Sequence, residues 1–246
     1  MRNFKILLTY DGSRYKGWQR LGGTENTIQG KLENVISRML NVPTEIIGSG
    51  RTDAGVHALG QVANFYADTD MSCQEILLYL RTYLPEDIGV LSVEEADERF
   101  HSRLSAVKKT YEYRIWNSDE PCVFQRRHLW VLPQKLDVEA MNAASAHFIG
   151  THDFLSMCSN KHFKKSSVRT VECIDIVRDG NELRITVTGN GFLYNMVRIM
   201  VGTLVEVGLH RRSAEEIPAI LESKKRENAG AMAPANGLYL VEVQYS

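Results

Sequence analysis

In the stretch GSGRTDAGVHALGQ, Gly48 to Gln61, one acid, Asp53, lies between Arg51 and His57 in a segment broken by Gly48, Gly50, Gly55 and Gly60. A carboxylate beside a guanidinium is held below its ordinary pKa, so it stays ionised and nucleophilic at neutral pH. Other chemistries fit the spacing poorly. The third glycine of a dinucleotide fingerprint would fall on Asp53, and the segment joins two strand patterns rather than a strand and a helix. No Gly-Lys-Ser/Thr follows to make a phosphate loop. Asp53 and His57 would share a metal as an i, i+4 pair only on a helix, which the glycines oppose. Composition alone also allows a tight turn in which Asp53 caps backbone N–H groups and Arg51 is a surface charge.

A second charge stands out in FLYNMVRIMVGTLVEVG. Met196, Val197, Ile199, Met200, Val201, Leu204 and Val205 surround Arg198 on a helix pattern that is apolar over most of its circumference. A buried guanidinium needs a partner, so Arg198 either snorkels to solvent or meets a carboxylate, for which Asp53 is a candidate.

These residues need a scaffold, and the chain is long enough to build one. It has 246 residues, 43% hydrophobic and 24% charged, which is ordinary globular composition. The net charge is -1, with 11 Lys/Arg against 14 Asp/Glu in residues 1–104 and 18 against 16 in 105–246, so the second half leans toward a polyanion. Cys73, Cys122, Cys158 and Cys173 show no C-x-x-C or Cys/His metal spacing, and no metal is expected. The apolar run in MRNFKILLTYDG is too short for a signal peptide, and no stretch is long enough to span a bilayer. The expectation is a soluble cytoplasmic protein with reduced thiols and no membrane partner.

The patterns predict a strand at 4–10, a helix over 26–40, strands at TEIIGSG and VHALGQVANFYA with Asp53 at the hairpin tip, a helix opened by a Ser72/Glu75 capping box, and a strand at DIGVLSVEEA. The second half repeats this order. It has a strand at KTYEYRIW, a helix near 137–148, a hairpin over 168–189, a helix at 194–207 and a closing strand at GLYLVEVQY, with an extra helix opening at Ser213. The fold class expected is therefore α+β. Two side-by-side β-α-β-β-α-β (split ferredoxin-like) halves, 1–104 and 105–246, would carry antiparallel sheets flanking a central cleft.

The blocks YDGSRYKGWQ, GRTDAGVHALGQVANF, RFHSRLSAVKKTYEYRI, GTHDFLSM, GNGFLYNMVRIMVGTLVEVG and APANGLYLVEVQY run in order from residue 9 to 245, and together they resemble the TruA-type tRNA pseudouridine synthases. The resemblance implies isomerisation of uridine to pseudouridine in the anticodon stem-loop of tRNA, at positions conventionally numbered 38 to 40. It implies that Asp53 is the nucleophile, Arg198 its ion-pair partner, Tyr111 the ring stacked on the target base and Arg51 a flanking RNA contact. It further implies a homodimer whose RNA touches both subunits, and no cofactor. The sequence departs from the family pattern at Arg20, Leu21, Met232 and the insert CSNKHFKKSSVR, which leaves the choice among neighbouring uridines open.

An RNA substrate also gives a use to the basic runs. KHFKKSSVR holds Lys161, Lys164, Lys165 and Arg169 with no acid between them, and Lys108 and Lys109 precede Tyr111. Such runs are usually solvated loops, but phosphate neutralisation supplies most of the affinity for RNA, so Lys108, Lys109, Lys164 and Lys165 are candidate substrate contacts. Tyr113, two residues from Tyr111 on the same strand face, is expected in the core. Two other functions remain to be weighed. A non-catalytic RNA-binding module could share the split fold, though its RNP1 pattern is absent. A glycoside hydrolase would need a second carboxylate, for which Asp11 and Asp153 are the candidates.

Overall fold

The computed structural model describes residues 1–160 and 165–246. They group into two compact units, Met1–Val107 with Tyr239–Ser246, and Lys108–Leu238. Both mix helices with antiparallel strands, so the fold class is α+β.

The first unit runs β1 (Arg2–Tyr10), α1 (Ile28–Leu40), β2 (Ile47–Gly48), β3 (His57–Ala67), α2 (Cys73–Tyr83) and β4 (Ile88–Ala96). Strand β1 lies between β4 and β3 and is antiparallel to both, with Ile6 opposite Ala63 on one side and Val93 on the other. Phe4, Ile6 and Leu8 are fully buried, while the alternate residues Lys5, Leu7 and Thr9 are partly exposed, so one face of the strand is covered. Ile28, Leu32 and Ile36 of α1 and Ile76 and Leu80 of α2 recur at helical spacing and supply the buried stripe of each helix. The Thr27 hydroxyl caps α1 by accepting from Gly30 N, and the Ser72/Glu75 capping box read from the sequence closes the start of α2.

Strand β2 is shorter than TEIIGSG suggests. Pro43 has no N–H, while Thr44 N donates to Ser37 Oγ (2.9 Å) and Ile46 N to Glu33 Oε1 (3.2 Å). The donors of this segment are thus taken by side chains of α1, and only Ile47 and Gly48 pair with β3, opposite Asn64 and Ala63. The connection from 49 to 56 that carries Asp53 remains a hairpin tip.

The second unit holds β5 (Ala106–Trp116), β6 (Trp130–Val131), α3 (Val138–Ala146), β7 (Gly150–Asp153), β8 (Val168–Asp179), β9 (Glu182–Gly189), α4 (Met196–Gly208) and α5 (Glu216–Ser223). Strand β9 is antiparallel to β5 and β8, and β7 pairs with the outer edge of β8. Every residue of α4 except Glu206 is buried. The extra helix starts at Glu216 rather than Ser213. Ser213 N donates to Glu216 Oε1 (2.8 Å), so the pair read from the sequence links the segment just before the helix to its first residue.

The closing strand, β10 (Leu238–Tyr245), behaves differently from its place in the sequence pattern. It starts parallel to β3, with Tyr239 beside His57 and Leu240 beside Ala58, and packs in the first unit. Such a pairing joins residues far apart in the chain, and local periodicity carries no trace of it. Among the described residues no helix is long and apolar enough to cross a membrane.

Candidate active site

Asp53 opens a tight turn. Val56 N donates to Asp53 O at 3.1 Å, and Gly55, at the third position of the turn, has φ +80°, a value glycine adopts without strain. The Asp53 side chain is half-buried, and Arg51, two residues before it, is exposed. The turn is braced by the segment after β1. Trp18 N donates to Thr52 O at 2.9 Å, and Gly17, at φ +97°, approaches so closely that a Cβ there would lie 2.7 Å from Thr52 O. Asp53 is thus presented by a packed turn.

His57 is the first residue of β3, so it and Asp53 are not an i, i+4 pair on a helix. Its Nδ1 lies 3.1 Å from both Gly12 N and Asp11 Oδ1, and its ring stacks on Tyr239 at 4.8 Å. Asp11, one of the two acids considered for a hydrolase, accepts from Ser13 N (2.9 Å) as the cap of a short 3₁₀ turn. The other, Asp153, loses some acidity to burial. However, hydrogen bonds from Ser167 Oγ (2.5 Å), Lys224 Nζ (2.9 Å) and Leu155 N (3.1 Å) outweigh this and hold it below the usual carboxylate range. A general acid for glycoside hydrolysis needs the opposite shift.

Arg198 does not snorkel, since only 9% of its surface is exposed. Its Nε donates to Ala233 O (2.8 Å) and its Nη1 to Asn195 Oδ1 (2.9 Å). Asn195 caps α4 in the left-handed region (φ 60°), and Ala233 N returns a bond to Arg198 O (3.1 Å). The strap 230–233 lies along the helix, with Gly230 N donating to Thr203 Oγ1 and Ala231 N to Glu206 Oε1. These two acceptors of the guanidinium are neutral. They set its direction, whereas balancing a buried charge is work for a carboxylate. Asn195 and Ala233 were not singled out from the sequence, and the only sign of them is their place in the GNGFLYNMVR and APANG blocks.

Tyr111 and Tyr113 share a face of β5 opposite Val187 and Ile185. Tyr113 is core, with no exposed surface, a hydroxyl donating to Pro234 O (2.7 Å) and Trp130 edge-on. Tyr111 keeps 9% exposure and meets Phe192 edge-to-face at 5.2 Å. If Tyr111 stacks on the displaced base, Tyr111→Ala should weaken tRNA binding by about 1–3 kcal/mol, whereas Tyr111→Phe keeps the platform and most turnover. A purely structural tyrosine would instead give an Ala variant destabilised by about 3–5 kcal/mol whose activity tracks its folded fraction. Binding titrations and melting curves on the two variants separate these outcomes.

The basic candidates differ in their surroundings. Lys108 pairs with Glu172 (2.5 Å), which competes with any phosphate contact, Lys109 is half-buried on β5 opposite Gly189, and Lys165 is exposed. Lys164, like Lys161, lies outside the described residues.

Comparison with known proteins covers the same segments. A family model described as tRNA pseudouridine synthase matches residues 6–104 and 144–246. The chain is 49% identical to tRNA pseudouridine synthase A 2 of Bacillus anthracis. It is 51% identical to tRNA pseudouridine synthase A of Bacillus sp. strain KSM-64 and 44% identical to that of Acetivibrio thermocellus. Each alignment takes in 245 residues and 100% of both chains. Similarity of that extent includes the Asp53 turn as well as the Arg198 helix, and it places the chain in the tRNA pseudouridine synthase family.

Proposed function

We propose that the protein isomerises uridine to pseudouridine in the anticodon stem-loop of tRNA, at positions 38 to 40, with Asp53 as the reacting carboxylate. The observation that carries this reading is the full-length match to tRNA pseudouridine synthases of a chain whose Asp53 stands on a braced turn. Asp53 belongs to the half 1–104 and Arg198 to the half 105–246, and the guanidinium is assigned the role of keeping the carboxylate ionised. Arg51, Lys108, Lys109, Lys164 and Lys165 contact the RNA backbone. The enzyme acts in the cytoplasm as a homodimer.

The reaction breaks the N1–C1′ bond of the uridine, turns the uracil and joins C5 to C1′. The hydrogen on C5 leaves as a proton and N1 gains one, so oxidation state and composition are unchanged and no cofactor is needed. One carboxylate serves by attacking C1′, by adding at C6 or by removing a proton on a glycal route, and each demands an ionised group close to the target nucleotide. Reaching C1′ requires the base to leave its stack at a cost of a few kcal/mol, against which stacking on Tyr111 returns about 1–3 kcal/mol.

Transcripts of one substrate tRNA, with the uridines at 38, 39 and 40 replaced by cytidine one at a time, test the assignment. Each replacement should remove pseudouridine at its own position only. Modification confined to another arm of the tRNA would overturn the anticodon assignment, and a bound but unmodified tRNA would favour the RNA-binding module.

A further inference from the structure

We propose that Gln61 is a positioning residue which, with the Tyr10 hydroxyl, sets the backbone on which Asp53 stands; this rests on the reading of Asp53 as the reacting carboxylate. Gln61 lies on β3 opposite Leu8, on the strand face it shares with Ala63 and Phe65, and it has no exposed surface. An amide at such a position is unfavourable unless its polar atoms are satisfied, and an apolar residue would complete the pattern without that demand. The structure shows what the amide is for. Its Nε2 donates to Gly50 O (3.2 Å) and, more weakly, to Tyr10 Oη (3.4 Å), and its Oε1 accepts from Ser49 Oγ (2.6 Å). The Gly50 carbonyl can only accept, which fixes the orientation of the amide.

Tyr10 Oη then reaches Thr52 Oγ1 at 2.8 Å, while Thr52 O accepts from Trp18 N. Three of the four residues before Asp53, namely Ser49, Gly50 and Thr52, are therefore tied to side chains of β1 and β3, and only Arg51 between them is turned to solvent. Ser49 N keeps one backbone bond to β3, at Val62 O (2.8 Å), and beyond it these side chains do much of the work that strand pairing does elsewhere. Burial pushes the Tyr10 phenol up to about 12, against the opposing effect of its bonds to Thr52 and Gln61. Its proton is retained at neutral pH, and the network is a fixed brace. In a fully satisfied buried network each bond polarises the next, so removing one member loosens the others.

Gln61→Met, Tyr10→Phe, their double variant and Asp53→Asn, assayed together on one tRNA transcript, test the proposal. Gln61→Met and Tyr10→Phe should each lower kcat about 10- to 100-fold with KM and tRNA affinity within about threefold, because a shifted turn misplaces the carboxylate without removing an RNA contact. The double variant should fall short of the product of the two single effects, since both act on one turn. Wild-type kcat in both single variants, or a fall that only follows the folded fraction in melting curves, would overturn the proposal. If Gln61→Met does not fold, Tyr10→Phe, which removes a single oxygen, decides by the same criterion. Asp53→Asn separates the role of Asp53 from the positioning role of Gln61 and Tyr10. Turnover by that variant would remove the reading of Asp53 and this proposal with it, whereas an inactive Asp53→Asn beside normal Gln61→Met and Tyr10→Phe would remove the positioning role alone.

Discussion

Asp53→Asn should bind tRNA within about threefold of wild type and lose at least about 10⁴-fold in pseudouridine formation. The substitution exchanges one oxygen for nitrogen on a half-buried side chain. The turn itself is closed by the Asp53 carbonyl and by Gly55 at φ +80°, and neither changes. The neutral amide can neither attack C1′ nor add at C6 nor take a proton, so it fails on every route open to the carboxylate. Tritium release from 5-labelled uridine in tRNA, beside a binding titration on the same protein, reads both quantities. Turnover near wild type would remove Asp53 from the reaction.

Arg198→Met carries the next largest effect. Methionine suits the apolar surroundings of α4, so the helix should keep its packing. The bonds from Arg198 to Ala233 O and Asn195 Oδ1 are lost, at a cost to stability of about 1–3 kcal/mol, which lowers the melting temperature by a few degrees. Catalysis should suffer more. On the role proposed for the guanidinium, kcat should fall about 10²- to 10³-fold, the loss typical for removing a fixed electrostatic group from a site. A variant whose turnover falls only as far as its folded fraction would make Arg198 a structural residue of its own unit.

Much of this was legible in the sequence because local rules and tertiary packing agree. The capping box at Ser72 and Glu75, the alternation in β1 and the apolar girdle of α4 each follow from short-range patterns that the core then uses. The turn that carries Asp53 was legible from its glycine spacing, and the need of Arg198 for polar partners from its being a lone charge among apolar neighbours. The features that stayed hidden depend on partners distant in the chain. Strand β2 is cut short because Ser37 and Glu33, side chains of a helix, take its backbone donors. Strand β10 closes the chain yet pairs with β3. Gln61 reads as an ordinary polar residue in a strand until its amide is seen holding Gly50 and Ser49, and nothing in APANG announces that Ala233 will receive a guanidinium. In each case a polar group of one segment is satisfied by another that periodicity does not connect to it.

The most direct test of the account is made in cells lacking the gene for this protein, complemented with the wild-type chain or with Asp53→Asn, by mapping pseudouridine at single-nucleotide resolution in total tRNA. The uncomplemented cells should lack pseudouridine at positions 38 to 40 of their tRNAs, the wild-type chain should restore it there and nowhere else, and Asp53→Asn should restore none. Restoration by Asp53→Asn, or pseudouridine at those positions in the uncomplemented cells, would contradict the proposed function.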